Sequence, residues 1–542
     1  GFEKLIDGCF HSDGFCRESP SYSSMHLSLM ENIPLLLRGY SDPPGYADEK
    51  GERFDAFDPF KHMPRYRLAL ESMVRMAAPN QRPPVIGDTS SRAGISPHWI
   101  EVLACKYGGV YAALLETLQK APLEKKGGEY SLWHRPADLK ADGEAKLPLR
   151  TEWFPGWHVG VLRGADPLGQ TALFLNGYAY HGHRHDDTLG LIFYGGGVEL
   201  ASDRGYIWDD PRNAWTKCTE SHNLVVVDGR SQIRKGRRSR LKLFGASPLV
   251  QVVQADANAY TQCDVYERTC VLVPLPDGQC YVVDVFRVHG GKKHSYSFQC
   301  NGELTGLGEL APAPIERKHR WLKAFRAVDA PGAFTARWKH GDQILDLRML
   351  TPSSKLVVAD APGWRSDRGS ELNAPSIQQV FAERVSTEAP LRSVYVSIIA
   401  SHTGDSPIQG AELLRADDDG TVCVRVQLAD RTDIVALAPD DAPRELAGMT
   451  LSGRFGFVTT DAVGVRGTYL LDGSRLAFAD SSVEIAQTDL TFSVESVEGR
   501  TYVLSRPVPK GLRAAGAFLL AGDTGYEVES VAGNRIVVRD YP

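Results

Sequence analysis

Residues 178–223 read YAYHGHRHDDTLGLIFYGGGVELASDRGYIWDDPRNAWTKCTESHN, and the rest of the chain is organised around this polar stretch. His181, His183, His185 and Asp187 stand at alternate positions. Valine-, leucine- and aromatic-rich runs bounded by glycine surround them, which predicts strands rather than helix. On a strand, alternate residues share a face, so these four side chains are expected together, a poor composition for an apolar core. A second strand over 198–206 would bring Glu199, Ala201 and Asp203 to one face. Ser221-His222-Asn223 then leads into the apolar run 224–227. Imidazoles and carboxylates can thus converge from adjacent strands, the raw material of a metal site with a histidine beside it. A solvated strand edge is the plainer reading of the same run. Asp203 and His222 weigh against it, since each opens or closes an otherwise apolar strand.

A chain of 542 residues is expected to hold more than one domain. Its 42% hydrophobic and 24% charged residues suit a folded protein. No run approaches the ~18 apolar residues of a membrane helix, so no membrane partner is expected. The opening GFEKLIDGCF lacks Met, a basic start and an apolar signal core, and reads as a mature or truncated product. Nine cysteines with scattered spacing and no CxxC pair argue against a disulfide framework. A net charge of −6 gives no reason to expect nucleic acid. One local exception is RSQIRKGRRSRLK at 230–242, carrying Arg230, Arg234, Lys235, Arg237, Arg238, Arg240 and Lys242. It is either a solvated hairpin or a positive rim for a polyanionic substrate.

Taken in order, residues 1–125 read as helical. Ser19-Pro20 offers an N-cap followed by proline at the first helical position. Tyr22, Met25, His26, Leu29 and Ile33 then recur at helical spacing, and Pro34 is expected to stop the run. A loop over 39–60 precedes a helix over 64–77, and Ser96-Pro97 repeats the capping device before two more helices. Residues 126–150 are polar and periodless, the composition of a linker. From Thr151 the sequence is strand after strand, as in a β-sandwich, assigned to 151–450, with a small terminal β domain over 451–542. The fold class expected is therefore α+β and multidomain: a helical portion, a large antiparallel β-sandwich and a small C-terminal β domain.

Three motifs act jointly: HxHxDxLxL at His183-Arg184-His185-Asp186-Asp187-Thr188-Leu189-Gly190-Leu191, DxGY at Asp203-Arg204-Gly205-Tyr206, and His222-Asn223 before VVVDG. Together they resemble the heparinase II/III-like polysaccharide lyases, which include alginate lyases. DGFCRESPSY, ending at Tyr22, resembles that family's DG-x-x-x-E-S-P-x-Y element. The resemblance implies an α/α toroid ahead of the sandwich, present here only in part. It makes His183 the catalytic histidine, Tyr22 a catalytic tyrosine from the helical part and Tyr206 a second one. His185, Asp203 and His222 would hold one zinc ion. Glu18, His26, Arg204, Arg212 and Asn223 would bind substrate. It also implies helices before Tyr22 that supply an Asn or His for the substrate carboxylate, so a missing N-terminal helical segment or a homo-oligomer is expected to complete the site. Location would be periplasmic or secreted, in a bacterium.

The implied reaction is β-elimination on a uronic-acid-containing acidic polysaccharide: C5 loses a proton, the 4-linked oxygen leaves, and an unsaturated uronide forms. Charge developing on the carboxylate needs positive or hydrogen-bonding groups, for which Arg212 and the missing Asn or His are the candidates. A base and an acid within reach of C5 and O4 are worth typically 10²–10⁴-fold. Two rivals stand beside this reading. Gly177 followed by His183-x-His185 also fits the start of a cupin motif, although the glutamate expected soon after is absent. A non-catalytic protein that binds acidic polysaccharide is the other.

Overall fold

The computed structural model describes residues 2–49, 51–142, 149–164, 170–179, 182–276, 278–366, 369–388, 390–485, 490–509 and 516–542. His181 lies outside these described residues. Among the described residues, eight α-helices come first: α1 (Phe2–Cys9), α2 (Pro20–Met30), α3 (Asn32–Leu37), α4 (Pro59–His62), α5 (Pro64–Arg75), α6 (Pro97–Tyr107), α7 (Gly109–Gln119) and α8 (Glu129–His134). Proline opens α2, α4, α5 and α6, where its missing N–H costs nothing and its fixed φ suits the first turn. The same logic places Pro34 inside the first turn of α3 instead of ending a run there. Helix α8 occupies part of the stretch read as linker.

Ser19 and Ser96 do stand at N-cap positions, but neither side chain caps its helix. The Ser19 hydroxyl donates instead to the Asp88 carbonyl at 3.0 Å. The buried face of α2 also differs from the expected one: Ser23, Leu27 and Met30 pack inward, while Met25 and Leu29 are exposed. Tyr22 and His26 lie between these faces, half-buried.

Five strands follow as a meander: β1 (Glu152–Phe154), β2 (Val159–Arg163), β3 (Ala172–Asn176), β4 (Gly190–Gly195) and β5 (Val198–Ala201). Both faces of this sheet are covered, so β2, β3 and β4 are buried at every residue. Alternation still sorts the side chains. Leu173, Leu175, Leu191 and Phe193 enter the core shared with the larger sheets, whereas Phe174, Ile192 and Tyr194 pack against the helices. The meander is thus the layer through which the helical part and the sandwich meet.

Next come β6 (Val225–Val227), β7 (Ser239–Ala246), β8 (Gln251–Ala257), β9 (Cys263–Pro274), β10 (Cys280–Gly290) and β11 (Lys293–Gln299). Strands β7 to β10 form one side of an antiparallel eight-stranded sheet, and β6 and β11 one edge of a six-stranded sheet. A seven-stranded sheet runs from Ile408–Ala416 to Ser481–Glu484, and a five-stranded one spans Val494–Glu498 to Arg535–Val538. The division placed at residue 450 falls within the strand Met449–Asp461, whose neighbours on both sides belong to the same sheet. The chain is predominantly β, with several sheets. Among the described residues, no helix is long and apolar enough to cross a membrane.

The element Asp13–Tyr22 is a structural joint as well as the approach to α2. The buried Asp13 carboxylate accepts from the N–H groups of Phe15 (3.2 Å), Gly156 (2.7 Å) and Trp157 (2.9 Å), bridging the helical part to the turn after β1. Phe15 stacks on Trp157 with ring centroids 4.7 Å apart. This joint fixes where Tyr22 arrives.

Candidate active site

The alternating histidines are not on a strand. Residues 182–189 form turns and loop between β3 and β4, because their polar groups are satisfied by side chains instead of a ladder. Arg237, buried, donates to the His185 carbonyl and bonds Asp186 at 3.3 Å. Thr219 Oγ1 donates to the Asp186 carbonyl, and the Asp88 N–H donates to the His183 carbonyl at 2.9 Å. Strand β5 likewise ends at Ala201, leaving Asp203 in the following loop. His185, Asp186, Asp187 and Thr188 are all buried, while His183 stays half-exposed.

His185, Asp187, Asp203 and His222 converge in a buried cluster, with one ligand atom from each lying within 4.8 Å of the others. His222 Nδ1 is 2.8 Å from Asp203 Oδ2, and His185 Nδ1 is 3.9 Å from Asp203 Oδ1. Burial opposes ionisation of Asp203, but His222 and then His185 outweigh it and hold the carboxyl below its ordinary value. Asp187 sits above its ordinary value, through burial first and through Asp203 beside it.

The donor set fits a metal ion. His185 Nδ1 and His222 Nε2 are buried with no hydrogen-bond partner among the described residues. A cavity of about 10 Å³ is lined by Asp187, Asp203 and His222 among others, space of ionic rather than saccharide size. Tetrahedral coordination at 2.0–2.1 Å gives ligand edges of about 3.3 Å, so the four groups would draw in modestly. His185 Nε2 meets Asp88 Oδ1 at 3.1 Å, the outer-sphere carboxylate that turns Nδ1 toward a metal. Asp187 thus joins the three ligands expected from the resemblance. His183 does not enter the cluster, although a cupin arrangement would need it there.

Above the cluster, Tyr22, His183 and Tyr206 come together. The rings of Tyr22 and His183 are 4.4 Å apart at 43°. The phenols of Tyr22 and Tyr206 interact, which eases ionisation of Tyr22 and opposes that of Tyr206. Burial dominates both phenols and holds each above its ordinary value. His183 Nδ1 lies 2.8 Å from Asp88 Oδ2, and its Nε2 lies 3.8 Å from Glu18. Glu18 in turn is 3.6 Å from His26 Nε2, and His26 Nδ1 meets Cys16 Sγ at 3.2 Å. Glu18 and His26 therefore belong to this constellation.

The remaining candidates do not. Arg204 is buried and donates to Ser202 Oγ and to Asn301 Oδ1 (2.7 Å), its pKa brought down to about 9 by burial first and by Arg365. Asn223 clamps strands, donating to the Leu191 and Ser202 carbonyls and accepting from the Gln299 N–H. Arg212 is engaged by Asp210 and the Leu372 carbonyl and lies over Trp364. The basic run is divided: Arg237 braces the His185 loop from inside, while Arg234 reaches Asp186 from an exposed position and Arg240 pairs with Asp256.

Two residues enter that the sequence did not point to. Asp88, in the loop before α6, accepts from Lys217 as well as from both histidines; Lys217 Nζ is 2.7 Å from Oδ1 and 5.0 Å from the Tyr206 ring centroid. Gly87 and Gly205 allow this close approach. At φ +58°, a Cβ on Gly87 would meet the His183 carbonyl at 2.8 Å. At φ +65°, one on Gly205 would meet Val85 at 2.6 Å and the Thr89 carbonyl at 2.7 Å.

A buried two-histidine, two-carboxylate cluster thus lies beneath a tyrosine–histidine pair, on antiparallel sheets behind a helical layer. Residues 147–390 match the family described as heparinase II/III-like, C-terminal. The chain is 30% identical over 200 residues to an alginate lyase of Stenotrophomonas maltophilia (strain K279a), a match covering 31% of this chain and 26% of that protein. It is 24% identical over 257 residues to an exo-oligoalginate lyase of Saccharophagus degradans (strain 2-40), covering 41% of this chain and 34% of the relative. The matches thus span about a quarter to a third of these curated relatives. In fold it resembles the heparan sulfate lyase HepC of Pedobacter heparinus, with a TM-score of 0.54, 12% identity, and coverage of 81% of this chain and 61% of that one. A heparinase III structure gives a TM-score of 0.53 at 13% identity, covering 81% of this chain and 62% of its own.

Proposed function

We propose that this protein is a polysaccharide lyase that cleaves a uronic-acid-containing acidic polysaccharide by β-elimination. The observation that carries the reading is the contact of Tyr22 with His183, 4.4 Å between rings, with Asp88 behind the imidazole. Nδ1–H donated to Asp88 places the basic lone pair on Nε2, the orientation a general base needs. Burial keeps the Tyr22 phenol protonated, suited to giving a proton.

The two groups touch, leaving no space for a sugar ring between them, so both address the substrate from one side. That supports syn elimination. His183 Nε2 takes the C5 proton, the C5–H pair forms the C4–C5 double bond, the C4–O4 bond breaks, and O4 takes the Tyr22 proton. Proton return from the imidazolium to the phenolate restores both groups. Lys217, paired with Asp88 and beside Tyr206, is the cation proposed to meet the substrate carboxylate, a role expected of Arg212.

Zinc suits the donor set of His185, Asp203 and His222 with Asp187, and when bound it would supply a fixed anchor for the loop bearing His183. Helices α1 to α8 are read as a portion of an α/α toroid, and the location as periplasmic or secreted. The test is incubation with alginate, heparan sulfate, hyaluronan, chondroitin and ulvan, read by ultraviolet absorbance of unsaturated uronide. Product from one of them is expected; binding without product would favour the non-catalytic polysaccharide-binding reading.

A further inference from the structure

The loop that follows Asp203 holds an indole in the open. Trp208 is 61% exposed, and its backbone φ is +55°, a region that bulky residues adopt at a cost. The turn is locked on both sides by one residue. Asn213 Oδ1 accepts from the Ile207 N–H at 3.1 Å, and Asn213 Nδ2 donates to the Trp208 carbonyl. Thr216 Oγ1 donates to the same Oδ1 at 3.2 Å, and the fully buried Ile207 anchors the turn from below. Single apolar side chains on a surface need no explanation. A large aromatic ring fixed in water by a strained, cross-braced turn does, because relaxing the turn would be the cheaper fold.

Its position supplies the explanation. The Trp208 ring centroid is 5.8 Å from that of Tyr206, at 40°. Tyr206 interacts with Tyr22, and the Lys217 ammonium lies 5.0 Å from the Tyr206 ring. The indole therefore extends the surface on which the reacting sugar would rest.

We infer that Trp208 is a stacking platform for a pyranose ring of the bound oligosaccharide, adjoining the ring held at Tyr22 and His183. The apolar face of a pyranose, its axial C–H bonds, packs on the indole and removes both surfaces from water. The preformed turn lowers the ordering cost of binding. This rests on the lyase reading for the class of ligand, a uronate oligosaccharide, and adds the residue that holds its neighbouring ring.

The experiment uses uronate tetrasaccharides prepared from alginate and from heparan sulfate, titrated calorimetrically onto the full chain and onto Trp208→Ala and Trp208→Phe, with turnover measured in parallel. Trp208→Ala should weaken tetrasaccharide binding tenfold or more and raise KM by a similar factor, with kcat changed less than threefold. Trp208→Phe should keep most of the affinity, and thermal denaturation of both variants should match the parent. Binding without turnover by the parent, lost in Trp208→Ala, would overturn the lyase reading and leave the platform standing. Equal affinity in Trp208→Ala and the parent would overturn the platform whatever the activity. No binding of either tetrasaccharide by the parent would overturn it too.

Discussion

Asp88 holds His183 twice: its N–H donates to the His183 carbonyl at 2.9 Å, and its carboxylate meets His183 Nδ1 at 2.8 Å. The other carboxylate oxygen meets His185 Nε2 at 3.1 Å, and Lys217 supplies the charge that burial of the group demands. One side chain from the helical part therefore sets the orientation of the proposed base and of a metal ligand together. Burial opposes ionisation of Asp88, yet His185 and Lys217 hold it below its ordinary value.

Asp88→Asn keeps the volume but replaces one acceptor oxygen by a donor, so the three contacts cannot all survive. The expected outcome is a kcat lowered about 100-fold with KM nearly unchanged, together with metal affinity lowered about 10–100-fold. Steady-state kinetics and competition with a chelator read the two effects. Asp88→Glu should recover part of both. Unchanged values in Asp88→Asn would show that the carboxylate is only a structural bridge.

Tyr22→Phe and His183→Ala probe the acid and the base separately. Each should lower turnover by about 10²–10⁴-fold. Neither side chain is fully buried, so melting temperatures should stay close to the parent's. Retention of activity in Tyr22→Phe would pass the proton-donor role to Tyr206, the phenol that interacts with it.

Much of this arrangement was written in the sequence, and what was not has a physical reason. The convergence of imidazoles and carboxylates follows from short segments whose polar residues interrupt apolar strands, and the resemblance singled out His185, Asp203 and His222 among them. The strand expected under His183 and His185 failed because Asp186 and Asp187 accept from Arg237 and Asn176 while the Thr188 N–H donates to Gln232 Oε1, which a loop can satisfy and a ladder cannot. In α2 the apolar spacing misled, since Met25 and Leu29 face out while Ser23 packs inward. Asp88 carried no signal at all: one aspartate in a Gly-Asp-Thr turn gives no hint of partners 95 and 97 residues away.

Metal content is the third expectation. Elemental analysis should find about one zinc per chain, and His222→Ala should lose it. Ligand-linked stabilisation is about 2.7 kcal/mol when free metal is 100-fold above Kd. Removing metal with a chelator should therefore lower the melting temperature of the parent and leave that of His222→Ala unmoved. A parent that shows neither metal nor a chelator effect would limit the cluster to a buried hydrogen-bond network.

The last expectation concerns pH and the joint between the two parts of the chain. The carboxyl of Asp13 is pushed up to about 6, by burial first and by Asp540, against Arg75 and the N–H groups of Trp157 and Phe15. A carboxyl whose folded value exceeds its ordinary 3.8 is protonated more readily in the folded state. Its contribution is fully present below about pH 4 and is lost as pH rises through about 6. That interval corresponds to roughly 3 kcal/mol. Asp13→Asn cannot ionise, so it should lack this component while losing one acceptor at the Gly156 and Trp157 N–H groups. Denaturant midpoints measured from pH 4 to pH 7 should therefore converge: the variant is the weaker protein at pH 4, and the gap narrows as the parent's Asp13 ionises. Curves that stay parallel over this range would mean that Asp13 is already ionised in the folded protein at pH 4, stabilised by Arg75 and its three N–H donors.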